Sequence, residues 1–174
     1  MKVLIAEDED EISKAYKIAL EARGHEVIIS EDGASCLEEY RKDTLLIQEN
    51  AKLNKKKAGT IDVVVLDYRI PKIDGMEVAK KILKINPNQR LIFASAYVKE
   101  TLEDSVKQFK QPVELLQKPF EPQILVDMIE DTDAYNGLKS LIKSIRGFDI
   151  DSPSHDQIKE LFEGLRKLQK GRTF

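Results

Sequence analysis

A chain of 174 residues with 41% hydrophobic and 34% charged side chains has enough apolar material for a buried core, which excludes a disordered or low-complexity polypeptide. Its 28 basic and 31 acidic residues nearly balance, so there is no broad electrostatic pull toward nucleic acid or an anionic membrane. One cysteine, Cys36, and two histidines exclude an internal disulfide framework and a multi-cysteine or His-rich metal centre.

Short apolar runs alternate with amphipathic ones along the chain. Val3 to Ala6 reads as a buried strand that stops at acids. Ile12, Ala15, Ile18, Ala19 and Ala22 follow at helical spacing, and Gly24 is a suitable stop. Val27 to Ile29 is a second strand, Asp32-Gly33 has turn chemistry, and Ala34, Leu37 and Tyr40 begin a second helix. Ile61 to Leu66 is the most decisive strand, because its β-branched residues are nearly continuous, as in a parallel sheet buried on both faces. Val78, Ala79, Ile82 and Leu83 mark a third helix that stops near Asn86-Pro87. Leu91 to Ala94 is the fourth strand, and Leu102, Val106 and Phe109 place a fourth helix. Val113 to Leu116 is the fifth strand, and Ile124, Leu125, Met128 and Ile129 mark the fifth helix.

Five strands alternating with five helices imply an α/β fold, a parallel sheet covered on both faces. Ligands bind such sheets beyond the carboxyl ends of the strands. Glu7 and Asp8 follow the first strand, Asp67 the third, Ser95 ends the fourth and Lys118 follows the fifth, so all should converge on one edge. Three carboxylates placed together repel, and a divalent cation removes that cost; hard oxygen ligands suit Mg²⁺. A carboxylate beside Mg²⁺ can attack phosphorus, with a lysine and a hydroxyl binding phosphoryl oxygens. The pattern is that of an aspartyl-phosphate site.

Four segments, Val3-Leu4-Ile5-Ala6-Glu7-Asp8-Glu9, Val64 to Gly75, Ala94-Ser95-Ala96 and Lys118-Pro119-Phe120, resemble a response-regulator receiver domain of the chemotaxis-regulator type. The resemblance covers residues 1–131 and implies a flavodoxin-like, doubly wound sheet of order 2-1-3-4-5. It further implies that Asp67 is the phosphoacceptor, that Asp8 ligates Mg²⁺ with Glu7 acting mainly through water, and that the Arg69 backbone carbonyl completes the metal ligands. Ser95 matches the hydroxyl switch residue and Lys118 the phosphate-binding lysine, followed by a cis Lys118-Pro119 bond. Leu115 stands where the family usually has an aromatic switch residue. Arg69 and Tyr97 are expected to flank the path of an attacking water and so to slow loss of the phosphoryl group.

The function implied is that of a two-component signalling switch, which takes a phosphoryl group from a sensor histidine kinase and alters a surface for a downstream protein partner. Such a switch is not an enzyme beyond its own phosphorylation and dephosphorylation. A phosphate-independent interaction module is one alternative. An aspartyl-nucleophile phosphatase is another, but it would need an acid where Arg69 stands.

Two stretches fall outside this plan. Between Thr44 and Thr60 an extended second helix and a solvated loop are expected, with Lys55-Lys56-Lys57 as a possible docking patch for an acidic partner. Residues 132–174 read as a two-helix extension with one stripe at Leu138, Leu141, Ile142 and Ile145 and another at Ile158, Leu161, Phe162, Leu165 and Leu168. Such stripes must bury somewhere, and a homodimer or partner surface is favoured over DNA. His155 reads as a surface residue. No apolar run approaches the roughly 20 residues that span a bilayer. The acids at Glu7 to Asp10 do not fit a secretory signal, so a cytoplasmic protein with no membrane partner is expected.

Overall fold

The structure is a computed structural model that describes residues 1–52, 60–96 and 113–146, with the side chains of 47–52, 138 and 141–146 left aside. Within it run β1 (Lys2–Ala6), α1 (Asp10–Ala22), β2 (Glu26–Ser30), α2 (Gly33–Lys52), β3 (Val63–Leu66), α3 (Gly75–Ile85), β4 (Arg90–Ser95), β5 (Glu114–Gln117), α4 (Pro122–Glu130) and α5 (Thr132–Arg146). The helix expected at Leu102, Val106 and Phe109 lies outside the described residues, so α4 is the fifth helix of the sequence reading. Lys55-Lys56-Lys57, Tyr97, His155 and the second tail stripe also lie outside them.

The strands form a five-stranded parallel sheet of order β2-β1-β3-β4-β5. Side chains alternate across a strand, and this sequence uses the alternation on both faces. Leu4, Val64, Leu66, Leu91 and Phe93 meet Cys36, Leu37 and Tyr40 of α2 and Met76, Val78, Ala79 and Ile82 of α3 in one cluster. Val3, Ile5, Val63, Val65 and Ile92 alternate onto the other face and are equally buried. Each such side chain contributes about 1.5–3 kcal/mol when withdrawn from water.

Several local expectations need correction. The apolar face of α1 is not the stripe through Ile18, which is 69% exposed; Ser13, Tyr16 and Leu20 are the buried residues. Ser13 can sit inward because its hydroxyl donates to the Asp10 carbonyl at 3.0 Å. On α4, Ile124 is 46% exposed, and Leu125, Val126 and Ile129 form the buried set. β3 begins at Val63 rather than at Ile61, because the Ile61 N–H donates to Asp43 Oδ2 at 3.1 Å instead of to a strand. Asp43 is itself buried and takes the Lys2 ammonium at 2.8 Å. The expected extension of α2 is present as far as Lys52.

Helix ends follow local chemistry. Gly24 closes α1 at φ 79°, a left-handed conformation that glycine adopts without a Cβ clash. Asp74 caps α3 by accepting from the Glu77 N–H at 2.9 Å. The described residues fall into two compact units, one of residues up to 126 and one of residues 127–146. Among the described residues no helix is long and apolar enough to cross a membrane.

Candidate functional site

Three backbone hydrogen bonds carry the sheet ladder one residue past the strands. The Glu7 N–H donates to the Ser30 carbonyl, the Asp67 N–H to Ala6 and the Lys118 N–H to Ser95, each at 3.0 Å. They set Glu7, Asp67 and Lys118 along one carboxyl edge, where the alternation of strands and helices places them. Carboxylate oxygens of Glu7, Asp8 and Asp67 all lie within 4.8 Å of one another.

Lys118 sits between two of these acids. Its ammonium donates to Glu7 Oε2 at 2.6 Å and to Asp67 Oδ2 at 2.7 Å. Both contacts are sheltered, since the Glu7 side chain is 1%, Lys118 11% and Asp67 12% exposed. The other Asp67 oxygen, Oδ1, accepts from the Arg69 N–H at 3.1 Å. The phosphoacceptor candidate is therefore held at both oxygens, in one orientation. Asp8 is exposed, which leaves its carboxylate open toward solvent beside the buried pair.

Burial pushes the Glu7 carboxyl above its usual range, and its bond to Lys118 opposes that push. For Lys118, burial works against the charge, but the hydrogen bonds to Asp67 and Glu7 outweigh it and hold the ammonium pKa above its ordinary value. A buried acid beside two more acids is the arrangement a cation relieves. The donor set is all oxygen, with one member exposed, and so fits Mg²⁺, which keeps several waters when bound.

Ser95 is fully buried at the end of β4, and the Lys118-Pro119 bond is cis. Leu115 is partly buried against the core cluster. One contributor escaped the sequence reading. The Tyr16 ring stacks on Phe120 with centroids 5.3 Å apart and planes 5° from parallel. Together with Ile12, Ala15 and Lys118 the two rings line a cavity of about 520 Å³ beside the acids. Tyr16 lies six residues beyond Asp10, where α1 begins, and its ring partner Phe120 is too distant along the sequence for helical spacing to signal the contact.

A family model described as the response regulator receiver domain matches residues 3–130. The chain is 24% identical over 129 residues to the response regulator receiver protein CpdR of Brucella abortus, covering 74% of this chain and 93% of that one. A CheY-like receiver domain protein from Methanospirillum hungatei superposes with a TM-score of 0.60 at 21% identity, over 75% of this chain and 90% of its own, a likeness of fold. The response regulator TrrA from Thermotoga maritima, solved in complex with Mg²⁺–BeF, gives 0.57 at 25% identity over 74% and 96%. With this match over most of its length, and the 2-1-3-4-5 sheet that carries it, the chain belongs to the response regulator receiver domain family.

Proposed function

We propose that this protein is a phosphorylation-controlled switch in two-component signalling, with Asp67 as phosphoacceptor. The observation that carries the reading is the two-point hold on Asp67, by the Lys118 ammonium and the Arg69 N–H. One Asp67 oxygen attacks phosphorus of a phosphohistidine on a sensor histidine kinase. The O–P bond forms as the P–N bond breaks, and the departing imidazole takes up a proton. Lys118 moves from carboxylate to phosphoryl oxygen, which conserves its charge-assisted bond. The Ser95 hydroxyl donates to a second phosphoryl oxygen. Glu7, Asp8, Asp67 and the Arg69 carbonyl would hold Mg²⁺, which when bound neutralises charge on the incoming group. The Mg²⁺–BeF complex of the TrrA relative supports the cofactor.

Phosphorylation then changes a surface for a downstream protein partner in the cytoplasm. Residues 132–174 supply a dimer or partner surface. Sedimentation of the full chain as a dimer, lost when it ends at residue 131, tests the dimer; two monomers would overturn it. The central experiment is labelling by a small acyl phosphate with Mg²⁺. One phosphoryl group is expected per chain, abolished by chelation and by Asp67→Asn. Undiminished labelling of Asp67→Asn overturns the reading.

A further inference from the structure

The loop after the phosphoacceptor, Tyr68 to Asp74, is fastened on two sides. On the near side Arg69 donates its N–H to Asp67 Oδ1 at 3.1 Å, and the Gly75 N–H donates to the Tyr68 carbonyl at 3.0 Å. On the far side the loop meets the start of α2. Lys72 Nζ donates to Asp32 Oδ2 at 2.6 Å. The Gly33 N–H donates to the Pro71 carbonyl at 3.2 Å, and the Ile73 carbonyl lies so close to Gly33 that a Cβ there would collide with it.

Asp32 is already fixed before Lys72 reaches it. Its Oδ1 accepts the N–H groups of Ala34 and Ser35 at 2.8 and 2.9 Å, as a helix cap does. Its side chain is 12% exposed, while that of Lys72 is 65% exposed. The Lys72 bond and the Ser35 and Ala34 N–H groups hold the Asp32 carboxyl below its ordinary range. Lys72 also stands at φ 66°, a left-handed conformation that glycine or asparagine adopts more readily than lysine. The ion pair gives a long cation at that position a task neither could perform.

We propose that Asp32 and Lys72 are positioning residues for the phosphoacceptor. The pair fixes the loop against the start of α2, and the loop, through the Arg69 N–H, sets the direction of the Asp67 carboxylate. The link runs from Asp32 through Lys72 to Arg69 and Asp67, within one compact unit of the chain. This inference rests on the phosphoacceptor role of Asp67 argued above. Because Lys72 is largely in water, the effect is modest and weakened by salt.

The test uses the full chain with Lys72→Asn, which suits the left-handed backbone but carries no cation, and Lys72→Arg, which keeps one. Hydrogen exchange of the Arg69 N–H, phosphorylation rate with a small acyl phosphate at saturating Mg²⁺, and melting temperature are measured together. In Lys72→Asn the Arg69 N–H is expected to exchange about threefold to fivefold faster, with phosphorylation slowed by a similar factor. Lys72→Arg should restore both. Unchanged exchange at Arg69 in Lys72→Asn overturns the inference, as does equal loss in Lys72→Arg, which would mark a general loosening of the fold. A wild-type chain that takes no phosphoryl group overturns the phosphoacceptor reading instead, and the exchange of Arg69 still decides whether the pair positions the loop.

Discussion

Lys118 Nζ stands 2.6 Å from Glu7 Oε2, joining the first residue after β1 to the first residue after β5 on the sheet's carboxyl edge. Removing one partner of a sheltered ion pair leaves the other as an uncompensated buried charge, which costs more than the intact pair contributes. Lys118→Ala is therefore expected to destabilise the protein by about 2–4 kcal/mol near neutral pH. Without the ammonium, the Glu7 carboxyl moves further above its ordinary value of 4.5. The native state then holds more protons than the unfolded chain above that value, so stability falls as pH rises through the window. Urea denaturation at pH 5 and pH 8 should show a smaller deficit at pH 5, and added Mg²⁺ should recover part of the deficit at pH 8.

Glu7→Gln keeps the shape and removes the charge. Lys118 would retain only Asp67, and the acid cluster would lose its buried member. Groups that orient a metal's ligands are typically worth tenfold or more in metal affinity. Titration calorimetry should show the Mg²⁺ dissociation constant rising by about tenfold. An unchanged constant would mean that Glu7 serves Lys118 alone.

Gly75→Ala is expected to destabilise by about 2 kcal/mol, the usual scale of overpacking. A Cβ at this position would collide with the Asp67 carbonyl oxygen and crowd Tyr68. Because the obstacle is backbone, relief requires moving the peptide of Asp67 itself. Chemical denaturation reads the stability loss, and a labelling rate that falls with it would locate the shift at Asp67.

Cys36 is fully buried within the core cluster. Burial, with the Asp32 charge as a second cause, pushes its thiol up to about 12. Thiolate is the reactive form, so a thiol reagent at pH 8 should leave the native chain unmodified and label it promptly in urea. Rapid labelling of the native protein would show that the α2 side of the core opens.

The sheet was legible because β3 is a run of β-branched residues that fits only a strand buried on both faces. The clustering of Glu7, Asp67 and Lys118 followed, since each stands one residue past a strand's end, and a parallel sheet brings those ends together. The face of α1 was not legible. Its alanines and isoleucines suggested a stripe through Ile18, whereas packing chose Tyr16, whose ring finds Phe120 far along the sequence. Contacts of that kind leave no periodic trace. The same holds for Lys72 with Asp32, 40 residues apart, and for Arg90 with Glu114, a bidentate pair at 2.7 and 2.9 Å that ties β4 to β5. Charge type alone could not choose among the 31 acids and 28 bases of the chain.

Asp43 holds the Ile61 N–H and the Lys2 ammonium at the end of β3 remote from Asp67. Ile61 is thus tied to the middle of α2 before the strand begins. Whatever length of chain lies between the clamped points, β3 starts from the same anchor and delivers Asp67 to the same place. Lengthening such an excursion raises its closure entropy only logarithmically, by about 0.6 kcal/mol per doubling. Sequence inserted between the end of α2 at Lys52 and Thr60 is accordingly expected to leave the Asp67 carboxylate at its place on the sheet edge.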